Sequence, residues 1–343
     1  MKVSIIGATG YAGAELLGLL INHPEVEIDH ITSESQTGAS IVDSYPHLRG
    51  FYDKKLSSMT DIEQFADNEA VFIALPHGHA MGIGQKLAAQ GIKIIDLGAD
   101  YRFRNEDVYE QWYKVPHTHR QSGAVYGLTE LYRQQIKGAT IVGSAGCYTT
   151  ASILALAPLA KAHLIDVKSI IIDAKSGVSG AGRGLNLGVH FAEMFDNLKA
   201  YNIGGHRHTP EIEQALTEVS GKDSVISFTP HLIPMSRGIL STCYAALAEG
   251  VTPEQVDQAF QELYSQEYFI RLLGRGGYPA VKNTRGSNFC DIGWHIDPRT
   301  NRVIVVSAID NLVKGAAGQA VQNFNVMFGF AEHTGLTKIA LYP

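Results

Sequence analysis

Apolar and polar positions change rhythm near the middle of the chain. Before it, short β-branched runs alternate with stretches of helical spacing. KVSIIG (2–7), VEIDHIT (26–32), AVFIALP (70–76), GIKIIDLG (91–98) and ATIVGS (139–144) predict buried strands. AELLGLLINH (14–23) predicts a helix stopped by Pro24, and HAMGIGQKLAAQG a second one weakened by its glycines. Such alternation predicts a parallel sheet with helices on both faces. Beyond Cys147 the strand candidates VKSIIIDAKS, DSVISFTPHLIP, ILSTCYAALAE and RVIVVSAID have fewer helices between them, which predicts a mixed or antiparallel sheet in a second domain. GVSGAGRG (177–184) is too rich in glycine for either element and reads as a loop. The tail carries Leu312, Ala316, Ala320, Phe324 and Met327 at helical spacing.

Composition narrows the function classes. A length of 343 residues fits two domains or one large α/β domain, and 45% hydrophobic content suffices for a sizeable core. A net charge of −6 gives no electrostatic footprint for nucleic acid or an anionic membrane surface. Cys147, Cys243 and Cys290 are odd in number and far apart, so they make no disulfide framework. The opening MKVSIIGATG has no signal-peptide pattern, and no apolar run approaches a bilayer span. The expectation is a soluble protein of a reducing compartment, the cytoplasm.

Two stretches carry candidate chemistry. GATGYAG (7–13) follows a strand and opens a helix, with Gly7, Gly10 and Gly13 in the G-x-x-G-x-x-G form of a dinucleotide loop. Glycine permits the tight turn and close backbone approach, and the helix N-terminus offers N–H donors to a pyrophosphate. At the end of the second strand, TSESQTG offers Ser33 and Ser35 to a 2′-phosphate, while Glu34 suits a free 2′-hydroxyl. The residues alone leave NAD and NADP open. The second stretch is IVGSAGCYTTASILALAPL (141–159), where a helix starting near Thr149 or Thr150 would hold the Cys147 thiol at its N-terminal end, a position that favours the thiolate.

Histidines and arginines extend the list. H-x-H pairs stand at His77/His79, His117/His119 and His206/His208, but no acidic or cysteine cluster accompanies them at ligand spacing, so no metal site is expected. In HRHTPEIEQAL, Thr209 suits an N-cap and Pro210 the first helical position. A histidine just before a helix N-terminus is biased toward the neutral form that a general base needs. Arg102, Arg183, Arg207 and Arg237 lie in glycine-rich or strand-end settings. As a set they suit an anionic substrate, although any one of them reads as a solvated surface charge.

These pieces coincide with a known family. GATGYAGAEL, DLGADYRF, VYGL, GCY, KSGVSGAGR, HRHTPEIEQ, HLIPMSRGI and DNLVKGAAGQAVQNFNVMFG resemble, essentially end to end, the N-acetyl-γ-glutamyl-phosphate reductases. These are NADP-dependent enzymes of arginine biosynthesis related to aspartate-semialdehyde dehydrogenase. The resemblance implies a Rossmann-like dinucleotide-binding domain at 1–147 and 313–343, with a returning C-terminal helix. It implies a second α/β domain with a mixed sheet at 148–312 for catalysis and dimerisation. It implies NADP as cofactor, held by Gly7, Thr9, Gly10, Tyr11, Gly13, Ser33, Ser35, Pro76 and Asn311. Cys147 would be the nucleophile toward an acyl phosphate, with His208 as base and His206 as its rival. Ser176, Arg102, Arg183, Arg207 and Arg237 would hold the substrate, N-acetylglutamyl phosphate, and the protein would be a homo-oligomer, dimer or tetramer. The chain departs from the family where P-G-C-Y-P-T becomes Ala145-Gly-Cys-Tyr-Thr149-Thr and where Y-G-L-P-E acquires Thr129.

Other readings are a reductase for an aspartyl or amino-adipate-type acyl phosphate, and a non-catalytic nucleotide-binding protein. A short-chain dehydrogenase would need Tyr-x-x-x-Lys on a helix, and the only such spacing found, YPAVK (278–282), contains a proline.

Overall fold

The computed structural model describes residues 1–120 and 122–342. The chain divides into two compact units, residues 1–146 with 316–337 and residues 147–315 with 338–343. The last residues of the chain therefore group with the second unit, and Cys147 is the first residue of that unit.

The first unit is a doubly wound α/β domain. Its strands are β1 (Lys2–Ile6), β2 (Glu27–Thr32), β3 (Ala70–Ile73), β4 (Lys93–Asp96), β5 (Val125–Gly127) and β6 (Ile141–Ser144). They lie in the order β2-β1-β3-β4-β6-β5 with every pairing parallel. Val3, Ile5, Ile6, Phe72, Ile94 and Ile95 are wholly buried, as expected of a sheet covered on both faces. The direction of winding reverses between β1 and β3, so the loop after β1 opens at the switch point where such sheets bind ligands. Helix α1 (Tyr11–Leu20) starts directly out of that loop with Gly10 at its N-cap, earlier than its apolar spacing predicts. Helices α2 (Met81–Ala89), α3 (Glu106–Tyr113) and α4 (Thr129–Lys137) follow.

The C-terminal helix Gly318–Phe328 belongs to this unit and is buried almost all round, yet four of its ten buried residues, Gln319, Gln322, Asn323 and Asn325, are polar. A buried polar group is costly unless bonded, and these are bonded. Asn323 donates to the Gly127 carbonyl at 3.0 Å and accepts from the Thr129 hydroxyl at 2.8 Å. Gln319 donates to the Thr129 oxygen, Gln322 to Glu130, and Asn325 to the carbonyls of Glu332 and Thr334. Thr129, where the resembling family has proline, is thus a junction between α4 and the last helix.

The second unit is a mixed seven-stranded sheet backed by helices. Its elements are α5 (Cys147–Lys161), β7 (Ile171–Gly177), β8 (Lys199–Ala200), α6 (Thr209–Ser220), β9 (Ser227–Ile233), β10 (Ile239–Ala246), α7 (Pro253–Tyr264), β11 (Ile270–Arg275), β12 (Cys290–Asp297) and β13 (Arg302–Ile309). The order is β11-β12-β13-β10-β7-β9-β8, with β11/β12 and β7/β9 parallel and the rest antiparallel. The strict alternation of β10 turns Ile239, Ser241, Cys243 and Ala245 inward under α5. Ser152 and Ser307 tie that helix down, through the Ser241 hydroxyl and the Ala151 carbonyl respectively. Among the described residues no helix is long and apolar enough to cross a membrane.

Candidate functional site

The GATGYAG loop shows three different uses of glycine. Gly7 has φ +89°, and a Cβ there would stand 2.5 Å from the Ala74 carbonyl oxygen. A Cβ on Gly13 would run into the Gly7 carbonyl, so that glycine lets α1 close on the loop. Gly10 meets nothing nearer than 3.9 Å, which leaves its face open to an approaching ligand. Beside the loop lies a cavity of about 340 Å³ lined by Gly7, Thr9, Gly10, Ser33, Ser35 and Pro76, all nominated from sequence. Glu34, Met59, Ala74, Leu75 and His79 complete it; of these Glu34 was weighed from the sequence against the cofactor's ribose and His79 only as half of a histidine pair. Backbone emptiness at a helix start, on a switch point, fits a dinucleotide. The Ser33 hydroxyl is buried and hydrogen-bonded to that of Thr9 at 3.0 Å, while Glu34 and Ser35 are exposed. Tyr11 and Gly13 lie on α1, and Asn311 belongs to the second unit.

Asp100, overlooked in the sequence, shapes one wall of this cavity. Its carboxylate accepts from the backbone N–H of Gly78 at 2.6 Å and of Ala80 at 2.9 Å, pinning the loop that carries His79. The signal lay in DLGADYRF, read above only for its arginine. Arg102 proves buried rather than solvated: it donates to the carbonyls of Ser144 at 2.7 Å and Leu97 at 2.9 Å. Asp96, fully buried in the same motif, has its pKa raised to about 7 by desolvation and then by the neighbouring charge of Asp100.

In the second unit Cys147 is the first residue of α5, half-buried, two to three residues nearer the helix end than predicted. The N-terminal amides and dipole of α5 therefore act on the thiol itself. Cys243 differs: it is wholly enclosed, and burial pushes its thiol up to about 12. Cys290 is buried as well. A Cβ on Gly315 would stand 2.8 Å from that of Cys147, so Gly315 lies directly against the thiol-bearing residue.

The His206/His208 pair stands at the start of α6. His208, not Thr209, occupies the N-cap: it already has helical angles, and the Thr209 hydroxyl makes no capping bond. The two rings meet edge to face at 4.8 Å. Tyr148, next to Cys147, touches both, at 5.6 Å from His206 and 6.0 Å from His208. Tyr201 and Phe228 close around His206, and burial lowers its pKa to about 2. His206 Nδ1 accepts from the His208 backbone N–H at 3.1 Å, which requires that nitrogen to be unprotonated. His206 is therefore a neutral acceptor that fixes the backbone of His208, while His208 keeps the end of the helix.

Among the nominated anion binders, Arg183 and Arg207 are exposed. Arg237 is half-buried, with Nη1 at 3.5 Å from the fully buried Asp310. Asn311 accepts from the Gly238 N–H at 2.7 Å and donates to the Ser179 hydroxyl at 3.0 Å, joining the two loops that carry Arg237 and Arg183. Ser176 is buried, donating to the Gly177 carbonyl at 3.0 Å. Sequence reading missed Asp310, although it opens the DNLVKGAAG stretch and adjoins Asn311, and it missed Tyr201, which stands in no motif. Among the described residues no group of three His, Cys, Asp or Glu is arranged to hold a metal ion.

Known proteins match both units. The family model described as semialdehyde dehydrogenase, NAD binding domain, matches residues 2–139, and that described as semialdehyde dehydrogenase, dimerisation domain, matches 147–311. The chain is 53% identical to the N-acetyl-γ-glutamyl-phosphate reductase of Pelotomaculum thermopropionicum, over 100% of this chain and 99% of that one. It is 51% identical to the enzyme of the same name from Desulforamulus reducens, over 100% of both. Among solved structures, aspartate semialdehyde dehydrogenase II of Vibrio cholerae superposes with a TM-score of 0.72 at 16% identity, covering 96% of this chain and 98% of that one. Aspartate semialdehyde dehydrogenase with NADP from Candida albicans gives 0.71 at 18% identity, covering 95% and 98%. The low identities speak for the fold alone; the full-length relatives speak for an oxidoreductase of amino-acid biosynthesis with a nicotinamide cofactor. The chain belongs to the N-acetyl-γ-glutamyl-phosphate reductase family.

Proposed function

We propose that the protein reduces N-acetylglutamyl 5-phosphate to the 5-semialdehyde and phosphate through a thioester on Cys147, with NADPH as reductant, in arginine biosynthesis. The observation that carries this reading is the half-buried Cys147 at the tip of α5, with the neighbouring Tyr148 packed on both His206 and His208. His208 takes the thiol proton, and the sulfur attacks the acyl carbon. The C–O bond to phosphate breaks, phosphate leaves, and a thioester remains. A reduced nicotinamide, held by the glycine loop, would supply the hydride that the thioester carbonyl needs. The C–S bond of the resulting thiohemiacetal then breaks, the proton held on His208 returns to sulfur, and the aldehyde departs. Arg183, Arg207 and Arg237 provide positive charge for the phosphate and carboxylate.

NADP is preferred in this reading because a structural neighbour was solved with it. Assembly as a homo-oligomer, dimer or tetramer, is part of the proposal. The second family model is described as a dimerisation domain, and that domain exposes Leu185, Leu187, Phe191, Phe195, Leu198 and Ile203. The test is phosphate-dependent oxidation of N-acetylglutamate semialdehyde, followed by nicotinamide absorbance with NADP and with NAD. Turnover with NADP that disappears on omitting phosphate supports the proposal, whereas activity on aspartate semialdehyde alone overturns the substrate.

A further inference from the structure

Two residues past Cys147, the chain carries Thr149 where the resembling family has proline. This threonine is fully buried on the third residue of α5. A threonine hydroxyl on a helix usually bonds back to a carbonyl one turn earlier. Here it donates outward, to Glu211 Oε1 at 2.8 Å. Glu211 is itself fully buried, in the first turn of α6, three residues after His208. The bond therefore runs between two helix starts, one bearing the thiol and the other the imidazole. A hydrogen bond to a carboxylate is among the stronger and more directional kinds, and burial excludes the water that would compete for it. Proline has no donor for such a bond, and it stiffens the turn through its fixed φ.

We propose that Thr149 is a positioning residue, whose hydrogen bond to Glu211 sets the offset between the Cys147 and His208 helix starts in place of the rigidity that proline gives the family. This rests on Cys147 as nucleophile and His208 as base. Thr149→Val removes the hydroxyl at nearly constant volume. Its kcat for semialdehyde oxidation is expected to fall about tenfold, matching the loss of one bond to a buried charged acceptor. The KM for the nicotinamide should stay unchanged, and alkylation of Cys147 by iodoacetamide should slow in step with kcat. Thr149→Ser keeps the donor and should restore kcat to within about twofold of the parent.

Glu211→Met removes the acceptor, and the double variant should lose no more than the worse single one, because both substitutions break the same bond. Should the valine variant not fold, Thr149→Ala is read by the same criteria. A valine or alanine variant with the parent's kcat, a serine variant as impaired as valine, or losses that multiply in the double variant would each overturn the inference. A parent enzyme without phosphate-dependent turnover, or one whose turnover survives Cys147→Ser, would instead sink the thioester reading beneath it.

Discussion

In the first unit the candidate site is a length of backbone. Gly7, Gly10 and Gly13 matter because no side chain stands there, and the cavity beside them is shaped by a carboxylate, Asp100, that holds two backbone amides and the Tyr109 hydroxyl. In the second unit the site is all side chains: a thiol, two imidazoles, two phenols and a buried carboxylate, from segments as far apart as Cys147, Tyr201 and Glu211. The difference separates binding from chemistry. A cofactor shared by many enzymes is met by generic backbone, while bond making depends on which atoms are charged. Substitutions should divide the same way.

The sharpest division comes from Cys147→Ser, which should lower turnover by about 10³-fold or more while leaving nicotinamide binding intact, checked by steady-state rates beside fluorescence titration. Iodoacetamide should label one of the three cysteines in the native protein and all three after denaturation, counted by intact mass, because Cys243 and Cys290 are enclosed. Gly7→Ala should do the reverse. A positive φ and the Ala74 carbonyl at 2.5 Å impose strain of about 1–3 kcal/mol, so nicotinamide affinity and Tm should fall while alkylation of Cys147 keeps its rate.

Acid sharpens the contrast further, because the two units carry buried groups of opposite sign. His206 has a folded pKa of about 2 against 6.5, so the stability tied to its neutral form is present above pH 6.5 and is lost as pH falls below it. Asp96 is raised to about 7 from 3.8, so its contribution is complete below 3.8 and is lost as pH rises toward 7. Between pH 4 and 6.5 the two oppose each other, each with a slope approaching about 1.4 kcal/mol per pH unit. Urea midpoints measured across that range should therefore rise more gently with pH in His206→Phe and more steeply in Asp96→Asn. Parallel profiles for both variants would mean that neither group titrates as its burial requires. The smallest effect is Thr129→Val, which removes a donor to Asn323 and an acceptor for Gln319 and should cost about 1–2 kcal/mol in urea unfolding, with kcat unchanged.

How much of this the chain discloses depends on the range over which each signal acts. Five of the six strands of the first sheet and the glycine loop lie close to where β-branched runs and glycine spacing put them, since both are local; the three-residue β5 (Val125–Gly127) is too short to leave such a run. Strand β12 was harder to read: CDIGWHID mixes charge, glycine and aromatic residues, and it owes its place to β13 and β11 on either side. Cys147 and the histidines were visible by residue type, but the division of labour between the two imidazoles was not. It follows from Tyr148, Tyr201 and Phe228 packing around His206, and those residues come from three distant segments. Thr149 looked like a lost proline until its partner, 62 positions away, supplied the reason for a hydroxyl.

The returning C-terminal helix has a consequence for how the molecule is made. Thr129 and Asn323 are 194 residues apart, and the bonds of the helix to Gly127, Thr129 and Glu130 complete the interior of the unit that begins the chain. A nascent polypeptide emerges from its N-terminus, yet residues 1–146 lack this helix until the whole intervening stretch 147–315 has been made. The part begun first is thus closed only after the long insertion 147–315, and a ribosome-bound chain halted shortly before Gly318 would carry the glycine loop on a unit still missing the helix that fills its interior.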